Sequence, residues 1–213
     1  MNKVITVIIT TVLLFSCSTT KITSSWKAED HAAKQYYNIM VWGILTEKDS
    51  TLRKQIETHL VNDLIEKGYH TVSSIEVYRS KAYKKLTKKE IVDEFKETGV
   101  DAIITLVLLN RQKEELFVPP SISSNPVASF DDINKYYSSV FDKIYTPGYY
   151  FSSTNYYWES NLFEVKEDKL VYSVQTKSFD PSNTEILAHE NGTMIIKDMI
   201  RKKVIISKNP IAN

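Results

Sequence analysis

The chain has 213 residues, with 27 basic and 26 acidic side chains that leave a net charge of +1. No basic stripe stands out, so the electrostatic footprint of a nucleic-acid binder is missing and no such partner is expected. Apolar residues make up 42% and charged residues 25%. That is the composition of a globular chain, long enough to bury one core without disulfides or metals.

The single cysteine, Cys17, follows a short apolar run. Lys3 supplies a positive start, and residues 4–15 are apolar apart from threonines. A membrane-spanning helix needs about 20 such residues, so the run has the length of a signal-peptide core rather than a span. Leu14-Phe15-Ser16-Cys17 places a small residue immediately before the cysteine. It matches the lipobox of bacterial lipoproteins, with Phe15 bulkier than usual. The expectation is cleavage after residue 16, a diacylglyceryl thioether with palmitate-type chains on Cys17, and retention in the cell envelope. An outer-membrane position facing the periplasm is expected. Each buried methylene contributes about 0.8 kcal/mol, and two or more acyl chains anchor firmly. Residues 17–35 are expected to be the lipidated cysteine and a flexible polar tether, with the domain occupying residues 36–213.

Residues 38–45 are almost continuously apolar and predict a strand covered on both faces. Asp49 or Ser50 can cap the helix that follows, in which Leu52, Ile56, Leu60 and Leu64 recur at helical spacing and Gly68 provides the stop. Residues 69–74 predict a second strand. Thr87 and Glu90 form a capping-box pair for a second helix ending at Gly99, and residues 101–109 predict the third strand. Residues 118–156 break the regularity with prolines and a dense set of tyrosines. Residues 157–165 and 170–179 then alternate about a polar turn as a hairpin. Asp180-Pro181-Ser182-Asn183 opens a last helix, in which Asn191-Gly192 marks a break or kink. The fold class is therefore α/β: a single domain with a mixed sheet of about five strands, in the order β-α-β-α-β-insertion-β-β-α, the early strands joined by right-handed crossovers.

Several segments resemble a family of small uncharacterised bacterial lipoproteins. They are Ser25-Trp26-Lys27, Ile144-Tyr145-Thr146-Pro147-Gly148-Tyr149, Glu159-Ser160-Asn161-Leu162-Phe163-Glu164-Val165, Leu170-Val171-Tyr172-Ser173 and Phe179-Asp180-Pro181. The chain departs from that pattern at Lys27-Ala28-Glu29, where the family more often has Asp-Pro. The resemblance implies a periplasm-facing lipoprotein. More distantly, the layout is similar to envelope accessory domains, such as the amino-terminal domain of the Tol translocation protein and lipoproteins assisting curli secretion or activating penicillin-binding proteins. That likeness is of architecture and carries no activity.

Motifs for chemistry are sparse. His31, His59, His70 and His189 lack metal-ligand spacing, and no nucleophile elbow or phosphate-binding glycine loop occurs. Glu114-Glu115 and Asp131-Asp132 read as solvated charge. No catalytic residue, metal or cofactor is expected, and the chain reads as a non-enzymatic accessory or interaction domain with an envelope protein partner. The surface expected to serve it is Tyr136, Tyr137, Tyr145, Tyr149, Tyr150, Tyr156, Tyr157 and Trp158. Aromatic rings of this kind bury large area at low entropic cost. The same residues suit a lid over the sheet, or a glycan- or peptidoglycan-binding platform.

Overall fold

The computed structural model describes residues 18–78, 95, 98–119, 137 and 148–206. In chain order these form β1 (Thr20–Lys27), β2 (Asn38–Ile44), α1 (Ser50–Glu66), β3 (His70–Ser73), the short helix α2 (Ser74–Tyr78), β4 (Ala102–Val118), β5 (Tyr149–Glu164), β6 (Lys169–Phe179) and α3 (Thr184–Arg201). The strands make one sheet in the order β1-β6-β5-β4-β2-β3. β2 runs parallel to β3 and β4, and every other pairing is antiparallel.

The expected α/β domain with a mixed sheet is present, with six strands rather than about five. The sixth is β1, which replaces the flexible tether expected over residues 17–35. It pairs with β6 from Thr20↔Ser178 to Lys27↔Tyr172. Polarity concealed it, because the side chains that β1 turns inward are largely hydroxyls with built partners. Thr20 Oγ1 lies 2.8 Å from Ser178 Oγ and donates to Glu190, while Ser25 Oγ donates to Asp198. Ile22 adds the one aliphatic contact of this strand with the core.

The main core lies between the sheet and the helix pair α1–α3. Leu52, Ile56, Leu60 and Leu64 of α1 and Leu187, Ile195 and Met199 of α3 meet Ile39, Val41, Ile104, Leu106, Trp158, Leu162 and Val174 of the strands. Alternation sends Met40 and Ile103 to the opposite face, where they pack with Phe95 and Val100. The expected helix of residues 87–99 lies outside the described residues, save for buried Phe95, for Thr98, whose hydroxyl donates to Phe95 O at 2.7 Å, and for Gly99 in the left-handed region at φ 70°. Gly68 takes φ 86° as the expected stop after α1.

Capping differs from expectation at α1. Asp49 makes no cap bond; it accepts instead from Thr46 Oγ1 at 2.7 Å and from Arg111 at 2.6 Å, tying the helix start to β4. At α3, Asn183 Oδ1 accepts from Ile186 N at 2.8 Å, as its side chain type favours. The break expected at Asn191-Gly192 does not occur, and α3 is continuous. Asn191 Oδ1 is buried and accepts from Thr176 Oγ1 of β6. Gly192 faces α1 so closely that a Cβ there would sit 3.1 Å from Asp63 Oδ2, so helix–helix approach is what that glycine permits.

Candidate functional site

The tyrosine-rich insertion expected over residues 118–156 is narrower than that. Both flanking strands run into it, β4 as far as Val118 and β5 from Tyr149. Their ladder is unbroken across Arg111↔Tyr156 to Val118↔Tyr149, after a bulge between Leu108 and Asn110. The apolar run of β4 ends near Leu109, but cross-strand bonding to β5 carries the strand on through polar residues.

This hairpin outruns its neighbours. β2 pairs with β4 no further than Val107, and β6 pairs with β5 no further than Asn155↔Phe179. Asp180, at φ 41°, turns the chain away there; its N–H donates to Thr154 O and its carboxylate accepts from Thr154 N. The remainder is a two-stranded arm with two zones along its length. Nearest the sheet the rungs are Lys113↔Thr154, Glu114↔Ser153 and Glu115↔Ser152. Where the described ladder ends they are Leu116↔Phe151, Phe117↔Tyr150 and Val118↔Tyr149. Leu116, Phe117, Tyr149, Tyr150 and Phe151 are all exposed, Tyr150 at 73%. The Phe117 and Tyr150 rings lie 5.2 Å apart, and Gly148 is needed beside them because a Cβ there would meet Phe117 Cζ at 2.3 Å.

The eight aromatic residues singled out from sequence therefore separate. Tyr149 and Tyr150 lie on the exposed arm, and Tyr137 is also exposed. Tyr136 and Tyr145 lie outside the described residues, as do Asp131-Asp132 and Cys17. Tyr156 packs against the core with Arg111 over its ring, and Lys177 lies over the ring of Tyr157. Trp158 is a correction: it is wholly buried in the main core, and cannot belong to a surface.

Three buried carboxylates were not found from sequence. Glu57 accepts from Gly43 N, Arg53 Nε, Ser73 Oγ, Ser74 Oγ and Ile75 N, which joins α1 to β2, β3 and α2. Glu164 accepts from Lys34 Nζ at 2.9 Å and Tyr36 Oη at 2.8 Å, with His31 Nδ1 3.8 Å away. Asp198 accepts from Ser25, Tyr172 and Arg201. Each sits in a closed ring of protein donors, which is the arrangement of a structural tie. A helical Glu or Asp among apolar neighbours (Glu57, Asp198) carries that signal in sequence, but its partners are non-local. Glu114 and Glu115 are exposed at the base of the arm, the latter paired with Lys113. Among the described residues no cluster of three or more His, Cys, Asp or Glu is arranged to hold a metal.

Burial raises the pKa of Glu164, but hydrogen bonds from Lys34 and Tyr36 and the charge of Lys34 outweigh it and hold the carboxyl below its usual value. Asp198 is held low in the same way, its burial outweighed by Ser25, Tyr172 and Arg201. Groups whose folded pKa is lowered add stability above their unfolded pKa and lose it as pH falls. Asp63 has the opposite sign, because burial raises its carboxyl and Oδ2 has no partner. Protonating Asp63 therefore relieves a penalty. Asp49, bonded by Thr46 and Arg111, and exposed Asp30, bonded by Lys169, are lowered too. With these lowered groups against one raised, urea midpoints are expected to fall steadily below about pH 4.5, and an Asp63→Asn variant is expected to be more stable than the parent near neutrality.

No protein-family model matches the chain, and no curated protein matches it. Solved structures align with the chain at low identity. The PelC dodecamer from Paraburkholderia phytofirmans aligns over 87% of this chain and 98% of its own, at 8% identity and TM-score 0.45. Lipoprotein GNA1162 from Neisseria meningitidis aligns over 78% and 99%, at 11% identity and TM-score 0.43. A homologue of the neuraminyllactose-binding hemagglutinin from Helicobacter pylori aligns over 84% and 92%, at 10% identity and TM-score 0.38. Likeness at this level transfers no residue role.

Proposed function

We propose that the chain is a lipid-anchored envelope protein, held to a membrane through Cys17, that serves as a non-enzymatic accessory domain for an envelope protein partner. The observation that carries the reading is the union of the lipobox with β1. The sheet begins at Thr20, three residues after the cysteine, so the domain has almost no tether and would lie against the surface that holds the lipid. Among the described residues no helix is long and apolar enough to cross a membrane, which leaves acylation as the anchor in this reading. The buried acids Glu57, Glu164 and Asp198 tie elements together in this reading. The outer membrane, facing the periplasm, is the location we favour.

A Cys17→Ser variant tests it. The parent is expected in the membrane fraction with incorporated palmitate, and the variant in the soluble fraction without it. Equal membrane retention of both would sink the proposal. Glycan binding is the alternative, since exposed Tyr150 and Tyr149 offer rings for stacking on sugars. Calorimetry against peptidoglycan fragments separates the two readings.

A further inference from the structure

We infer that β1 is an exchangeable strand: it leaves β6 while the rest of the domain stays folded, and the β1 of a second copy can take its place. The inference does not depend on acylation of Cys17. Three observations lead to it.

The first is how little apolar burial holds the strand. Of its 8 residues only Thr20 is buried, and Ile22 makes its one aliphatic contact with the core. β6, by contrast, buries Val171, Tyr172, Val174, Thr176 and Ser178. The β1–β6 ladder is also interrupted, by a bulge between Ile22 and Ser24. An element with few buried apolar contacts opens at a lower free energy than the whole domain.

The second is the kind of tie that holds it. Glu190 Oε2 accepts from Thr19 N at 3.0 Å, from Thr19 Oγ1 at 2.8 Å and from Thr20 Oγ1 at 3.0 Å. Ser25 Oγ donates to Asp198, and Lys202 Nζ donates to Ser25 O at 2.7 Å. Glu190, Ser25 and Lys202 are half-buried, so water can take over their bonds as the strand lifts. Asp198 keeps Tyr172 and Arg201 as donors when Ser25 has gone.

The third is where the strand is joined to the body. β1 is an edge of the sheet, with β6, β5 and β4 between it and β2, so no tight turn binds it to a neighbour. The chain that follows has anchors of its own. Ala28 N donates to Val171 O at 3.0 Å, His31 Nε2 lies 2.9 Å from Val204 O, and Tyr36 Oη donates to Glu164. Ala28 and Tyr36 are buried. The firmly held chain therefore begins at Ala28, and β1 can swing about that point without disturbing it.

Once bared, the edge of β6 presents unpaired N–H and C=O groups, which are a template for strand addition. Ser178, Glu190 and Asp198 beside it select a strand with hydroxyls in the places of Thr20 and Ser25. A second copy of β1 meets that requirement as well as the chain's own, which is the condition for strand exchange between protomers.

The test uses the full chain carrying Cys17→Ser, which leaves no thiol, and a fluorescent peptide of residues 18–28 as the probe. Without denaturant, the β1 amides bonded to β6 are expected to exchange on the order of 100-fold faster than those joining β5 to β6. That gap should close as urea approaches the unfolding midpoint. The peptide is expected to bind, and a peptide with Thr20→Val and Ser25→Ala to bind about tenfold more weakly or less. A disulfide between Lys21→Cys and Lys177→Cys, register partners on β1 and β6, should abolish binding of both. Amides of β1 that exchange no faster than those of β5 overturn the proposal. So does a peptide that fails to bind, or that binds the locked chain equally well. The exchange and peptide measurements on the unlocked chain decide the matter even where the locked chain does not fold.

Discussion

Replacing Glu57 by alanine is expected to lower folding stability by about 3–5 kcal/mol, read as a drop in the urea midpoint with little change of slope. The Glu57 carboxylate is fully buried on α1 and satisfies donors from four elements. Removal takes the carboxylate from the Gly43 amide and two serine hydroxyls, and leaves Ile75 N and the Arg53 guanidinium with only the Ser73 and Ser74 hydroxyls as side-chain acceptors. The carboxylate is closely packed in the parent, since a Cβ on neighbouring Gly43 would sit 2.9 Å from Arg53 Cγ and 3.0 Å from Glu57 Oε1. Glu57→Gln keeps the shape but faces one amide nitrogen toward donors, so an intermediate loss is expected. A Glu57→Ala protein as stable as the parent would mean that the network is not the tie described here.

Asp198→Ala is expected to cost about 2–4 kcal/mol and to loosen β1 more than the rest of the sheet. Its carboxylate joins α3 to Tyr172 of β6 and to Ser25 of β1, and the Tyr172 hydroxyl has no exposure that would let water take over. Arg201, the third partner, is 71% exposed and contributes little. Amide exchange should accelerate at residues 20–27 beyond what the global change accounts for. Uniform acceleration would show that Asp198 supports the core but does not hold the edge strand.

Much of the scaffold was legible in the sequence. The β2-α1-β3 unit was written in an apolar run, a helical repeat and Gly68, and the β5–β6 hairpin in alternation about a polar turn. What stayed hidden shares one physical cause: polar side chains whose partners lie far along the chain. β1 looked like a tether because Thr20 and Ser25 find Ser178, Glu190 and Asp198 at separations of more than 150 residues. The arm looked like part of a loop because Asn110 to Glu115 are polar, although β5 pairs them throughout. Gly192 looked like a break because its use is to admit a second helix. Within the candidate site, Tyr149 and Tyr150 were named from composition, but composition could not separate them from buried Trp158. Only the register of β5 against β4 does that.

In the proposed function the folded domain begins almost directly at a lipidated residue. Mass spectrometry of the amino-terminal peptide from the membrane-extracted protein checks this. The expected result is a chain that starts at Cys17 and carries a diacylglyceryl group on its sulfur. A chain that retains Met1, or that carries an unmodified Cys17 thiol, would contradict it.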